Sequence, residues 1–149
     1  MKQLSSVIFV VISALFLISC EGNSPTHDQP SAMQKSAKRG VSFNFTNIQD
    51  LPLLSPAISW SYNWANDQNS TAALWFDTNE MDFCPMCWNG SYSAAKIRQY
   101  VQEHPNTKYL LGFNEPNLTD QCNMTPAQAA EQWPQVVALA RELNLKLIS

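Results

Sequence analysis

From Gly40 onward, short apolar runs alternate with longer polar or helix-patterned segments, the signature of repeated βα units. Val41-Ser42-Phe43-Asn44-Phe45 alternates at period two and predicts a first strand, followed by a short connecting element at Leu51, Leu53 and Leu54 around Pro52. Ile58-Ser59-Trp60-Ser61-Tyr62-Asn63-Trp64 predicts a second strand, with Ile58, Trp60, Tyr62 and Trp64 on one face. Ala72-Ala73-Leu74-Trp75-Phe76 fits helix and strand equally. Residues 82–88 predict a third strand, although Pro85 has no N–H to give a central ladder.

The second half is more strongly patterned. Ala94, Ala95, Ile97, Tyr100 and Val101 recur at helical spacing, Ser93 precedes them as an N-cap, and Pro105 follows Glu103, so a helix is expected over 93–103. Tyr109-Leu110-Leu111-Gly112-Phe113 predicts a fourth strand. Thr125-Pro126 with Gln128 three residues after the cap predicts a helix reaching about Asn144, with a kink or break near Trp133 because Pro134 lies inside it. Residues 145–149 start a fifth strand, inside which the sequence stops.

The amino terminus has a different pattern. A positive start, Met1-Lys2-Gln3, precedes an apolar run from Val7 to Ile18 that falls short of the about 20 residues of a membrane span. It reads as a signal peptide over 1–19. Leu17-Ile18-Ser19-Cys20 resembles a bacterial lipobox, which implies a lipid on Cys20 and a membrane-anchored, exported lipoprotein; an ordinary signal with an incidental cysteine is the alternative. Residues 20–39 lack apolar periodicity and read as a flexible tether. Asn-X-Ser/Thr triplets at Asn44, Asn69, Asn89, Asn117 and Asn123 would suit a secreted glycoprotein, but an Asn-rich and Thr-rich chain makes them by chance.

Composition narrows the partners. Nine Lys plus Arg face twelve Asp plus Glu with no basic stripe, which argues against nucleic acid. Only 14% of residues are charged, whereas an ordinary soluble domain has about 25%. An amide-, hydroxyl- and aromatic-rich surface suits neutral hydrogen-bonding ligands.

Glu115 is the foremost candidate for chemistry. It directly follows an apolar strand and lies between Asn114 and Pro116, and βα folds gather reactive groups at the carboxyl ends of strands. A carboxyl at the rim of an apolar core is raised in pKa by desolvation, as a general acid for a glycosidic oxygen requires. A Glu that merely opens a loop or caps a helix fits the position too.

Leu111-Gly112-Phe113-Asn114-Glu115-Pro116 resembles the strand-four motif of retaining (β/α)8 glycoside hydrolases, specifically glycoside hydrolase family 128, a glycosyl hydrolase catalytic core. Residues 59–64, 83–88 and 146–149 are similar to that family's second, third and fifth strands in the same order. The resemblance implies an α/β fold in which 40–149 is the amino-terminal half of a (β/α)8 TIM barrel, roughly strands one to five, truncated. It implies a retaining hydrolase of β-glucan, such as β-1,3-glucan, with Glu115 as acid/base and Asn114 on the hydroxyl next to the reacting carbon. Retention needs a second carboxylate about 5 to 5.5 Å away. The family places it on strand seven, past the end of this sequence, so the fragment alone is expected to be inactive, with open sheet edges at its first and last strands. Asn117 stands where the family often has Asp.

Trp64 and Trp88, at strand ends, are candidates for stacking on sugar rings, and Asn63 for bonding sugar hydroxyls. Trp60 reads more readily as core than as a platform, and Trp75 and Trp133 as packing residues. Cys84-Pro85-Met86-Cys87 raises a thiol oxidoreductase as a lesser alternative, but within a strand residues three apart face opposite sides. In an oxidising compartment Cys87 and Cys122 are a candidate disulfide. No cofactor or metal is called for, since His27 lies in the tether and His104 at the opposite end of strand four from Glu115. A further alternative is a non-catalytic carbohydrate-binding surface lipoprotein.

Overall fold

The computed structural model describes residues 34–149, so the signal peptide, Cys20, His27 and most of the expected tether lie outside the described residues. Nine elements alternate along the chain: β1 (Ser36–Ser42), α1 (Leu51–Leu54), β2 (Ile58–Tyr62), α2 (Ser70–Thr78), β3 (Asp82–Phe83), α3 (Ala94–Glu103), β4 (Tyr109–Leu111), α4 (Pro126–Glu142) and β5 (Lys146–Ile148). All pairings are parallel, β1-β2-β3 in one sheet and β4-β5 in another. A parallel bridge between Met86 and Leu111 joins the two, so spatial order follows chain order. This is a mixed α/β arrangement with parallel strands, as the alternating pattern predicts.

Local signals account for the helix ends. Asn69 caps α2 by accepting from the Ala72 N–H at 3.0 Å, and Ser93 caps α3 through the Lys96 N–H at 3.3 Å. The expected capping box at Thr125 and Gln128 is formed in both directions, with Pro126 in the first turn. Of the kink or break expected near Trp133, the break is absent: the helix runs continuously through Pro134. Pro134 and Ala130 are both exposed, so the carbonyl that loses its intrahelical partner faces solvent, while Val136, Leu139 and Ala140 stay anchored in the core.

Strand boundaries depart further from expectation. β1 starts at Ser36, inside the segment read as tether, because parallel pairing with β2 orders Ser-Ala-Lys-Arg despite its lack of apolar alternation. Gly40 lies opposite Trp60, and a Cβ there would run into the indole ring, so this close approach requires glycine. Phe45 leaves the strand and enters the core, edge-on to Phe76 at 5.9 Å. β3 is only two residues long; beyond it Pro85 supplies a carbonyl to the Leu111 N–H at 2.8 Å but has no N–H to continue a ladder. The ambiguous run 72–76 is helical in α2, burying Ala72, Ala73 and Phe76.

Two core clusters support the sheet. One gathers Phe45, Leu51, Ile58, Phe76, Phe83 and Tyr100; the other packs Cys87, Ile97 and Leu110 against Val136, Leu139 and Ala140 of α4. Trp75 and Trp133 pack against these clusters, as expected of them. On β2 Ser61 is fully buried, whereas Trp60 and Tyr62, which point to the opposite face, are half-buried. Trp60 and Tyr62 line a cavity of about 370 Å³ with Lys38 of β1, Cys84 just past β3, Tyr109 and Leu111 of β4 and Ile148 of β5. Trp60 is therefore a sheet-face residue rather than a fully buried core residue. Among the described residues, β1 and β5 each pair on one side only.

Candidate active site

The carboxyl ends of the strands are tied together by backbone bonds that continue past the strands themselves. Met86 N–H donates to the Ala65 carbonyl and Cys87 N–H to the Leu111 carbonyl, both at 2.9 Å. Asn114 N–H then donates to the Trp88 carbonyl at 2.9 Å. Asn66 adds a cross-link, donating through Nδ2 to the Met86 carbonyl at 2.9 Å and accepting the Ser93 N–H at 3.0 Å. Trp64, Trp88, Asn114 and Glu115 thus emerge from neighbouring strands at one end of the sheet.

Glu115 is exposed and has φ 43°, a left-handed backbone held by a non-glycine residue. Such conformations cost of order 1 kcal/mol or more and persist where the surroundings impose them, often at functional sites. Here the Leu118 N–H bonds the Glu115 carbonyl at 3.0 Å and the Met124 N–H bonds the Pro116 carbonyl at 2.7 Å, fixing the turn. The burial expected around this carboxyl is not supplied by the described residues. Trp64 has φ 61°, is also exposed, and meets Tyr62 edge-on at 5.5 Å, so part of its indole is open to a flat apolar ligand face. Trp88 is half-buried.

Asn63, a candidate for bonding sugar hydroxyls, is bonded within its own loop. Its Nδ2 donates to the Asp67 carbonyl at 3.1 Å and to Gln68 Oε1 at 3.3 Å, while its Oδ1 accepts the Ala65 N–H at 3.1 Å. These bonds close the loop after β2, a local use of an Asn side chain that competes with ligand binding. Asn114 is held by a residue that sequence reading missed, Gln121, whose Oε1 accepts from Asn114 Nδ2 at 2.9 Å. No local pattern marks Gln121, which is one polar residue in a polar loop.

Cys87 and Cys122 are free thiols rather than a disulfide. Cys87 is directed into the cluster with Ile97, Leu110 and Val136, whereas Cys122 sits in the loop beside Asn89 and Gln132. Burial pushes the Cys87 thiol up to about 12; burial, with Asp82 adding to it, pushes Cys84 up to about 12. At neutral pH both are protonated, so this pair lacks the thiolate that an oxidoreductase needs. His104 caps the far end of α3 and pairs with Asp77 at 2.7 Å, remote from Glu115 along the chain direction of β4. Among the described residues, no group of three or more His, Cys, Asp or Glu is placed to hold a metal.

The family described as "Glycosyl hydrolase catalytic core" matches residues 40–149. Among solved structures, the chain resembles a GH128 (subgroup II) endo-beta-1,3-glucanase from Pseudomonas viridiflava at 40% identity and TM-score 0.70, over 76% of this chain and 45% of that one. A second subgroup II endo-beta-1,3-glucanase, from Sorangium cellulosum, is 36% identical with TM-score 0.65, over 74% of this chain and 44% of that one. A subgroup I endo-beta-1,3-glucanase variant from Amycolatopsis mediterranei, in complex with laminaritriose and laminaribiose, is 30% identical with TM-score 0.56, over 75% and 42%. The chain therefore spans less than half the length of the solved structures it matches. No curated protein matches it.

Proposed function

The chain belongs to the glycosyl hydrolase catalytic core family, in glycoside hydrolase family 128, and from that premise we propose that the full-length protein cleaves β-1,3-glucan with retention of configuration. The observation that carries this reading is Glu115, exposed, in a left-handed backbone between Asn114 and Pro116 at the carboxyl end of β4. In the proposed mechanism Glu115 gives its proton to the departing glycosidic oxygen and later takes one from the attacking water. Asn114 bonds the hydroxyl next to the reacting carbon, an interaction that strengthens as charge develops there. Trp64 and Trp88 offer apolar faces to neighbouring sugar rings.

Residues 40–149 are read as roughly the first five strands of a (β/α)8 barrel, with the cavity along β1 to β5 as part of its interior. The nucleophilic carboxylate is assigned to the remainder of the longer protein, so residues 1–149 alone are expected to be inactive. Full-length protein should release reducing ends from laminarin, and NMR should show the β-anomer first. Binding without cleavage would favour a carbohydrate-binding lipoprotein, and an α-anomer first would overturn retention.

Export and lipid anchoring through Cys20 belong to the same proposal, supported by the apolar run that ends at that cysteine. Cys20→Ala should move the protein from the membrane fraction to the soluble one. Unchanged membrane association would rule the anchor out.

A further inference from the structure

We infer that Gln121 is a positioning residue that sets which way the Asn114 carboxamide faces, and this rests on the role proposed above for Asn114. A carboxamide has two nearly isosteric orientations that exchange its N–H donors for its oxygen acceptor. Which of the two is presented decides whether a substrate hydroxyl accepts from the nitrogen or donates to the oxygen. Asn114 is held at three points: its N–H donates to the Trp88 carbonyl at 2.9 Å, its carbonyl accepts the Cys122 N–H at 3.3 Å, and its Nδ2 donates to Gln121 Oε1 at 2.9 Å. The first two hold the backbone. The bond to Gln121 holds the side chain, with its nitrogen turned toward Gln121 Oε1, and a glutamate there, having acceptor oxygens only, would enforce the same orientation.

Gln121 reaches Asn114 because the intervening loop folds back on itself. The Gln121 N–H and the Asn123 N–H both donate to the Leu118 carbonyl, at 3.2 and 3.1 Å, and buried Cys122 anchors the returning strand of the loop. Successive residues therefore grip Asn114, Gln121 by its side chain and Cys122 by its backbone. With one Nδ2 proton committed to Gln121, the second N–H and the carbonyl oxygen stay in a fixed order for the sugar hydroxyl. That preorganisation contributes where an unconstrained amide would have to be ordered during the reaction.

The test uses the full-length protein and two aryl β-laminaribiosides, one bearing the 2-hydroxyl on the reacting ring and one with hydrogen in its place, each variant assayed at its own optimum pH. Gln121→Leu should lower kcat on the 2-hydroxy substrate about 10- to 100-fold with KM within about threefold, and leave the 2-deoxy substrate near wild type. Gln121→Glu, which offers only acceptor oxygens to Asn114, should recover kcat/KM to within about threefold of wild type. Equal losses on both substrates would mean a merely structural role and overturn the inference. So would an undiminished kcat in Gln121→Leu, or a Glu variant no better than Leu. A wild-type protein that releases no aglycone from the 2-hydroxy substrate instead overturns the reading of Asn114 and Glu115, and the role of Gln121 with it.

Discussion

Glu115→Gln in the full-length protein should reduce turnover of laminarin about a thousandfold while laminari-oligosaccharide binding stays within about threefold, because a positioned general acid is worth about 10²–10⁴ in rate. Glutamine keeps the size and hydrogen-bonding reach of the side chain but has no proton to deliver to the leaving oxygen. The side chain is exposed, so the exchange removes no packing, and a circular dichroism spectrum should be unchanged. A substrate with a dinitrophenolate leaving group needs little protonation and should lose far less in its first step. Laminarin turnover within tenfold of wild type would remove Glu115 from the acid/base role. A uniform loss across both leaving groups would point instead to a binding contribution.

Leu110→Ala should destabilise the full-length protein by about 2–5 kcal/mol, the range for truncating a fully buried leucine. Leu110 is completely buried on β4, in one core cluster with Cys87, Ile97 and, from α4, Val136 and Leu139. β4 has three residues, so it has few other anchors, and Asn114 and Glu115 follow it after a short apolar exit. The cavity left by alanine would loosen the platform on which the candidate acid stands. Urea unfolding should show a lowered midpoint with an unchanged slope. Leu53→Ala, at a side chain 76% exposed on α1, should stay within about 0.5 kcal/mol of wild type. Equal effects at the two positions would contradict the core assignment.

Much of this architecture was legible because its causes are local. The capping box at Thr125 and Gln128, the Ser93 cap and the apolar spacing of Ile97, Tyr100 and Val101 act within a few residues, and the structure has all of them. Phe113-Asn114-Glu115-Pro116 stood out for the same reason, as a carboxylate placed by chain order at the exit of an apolar strand. Expectations failed where a distant partner decided. Ser36 to Arg39 form strand only because β2 lies alongside, and α4 passes Pro134 because the core holds one face while solvent takes the freed carbonyl.

Residue order by itself determined the βα alternation, the family and the placement of Glu115 at a strand exit, since these depend on periodicity, caps and a contiguous motif. Only the tertiary structure decided how the neighbouring amides are used. Asn63 bonds within its own loop, Asn114 is bonded by Gln121, and the Cys87 thiol, pushed up by burial, lies among Ile97, Leu110 and Val136 while Cys122 is a free thiol in the loop after β4. An amide or thiol carries the same groups wherever it stands, and its role is set by which partners the folded chain brings within about 3 Å and by how much water it leaves around them.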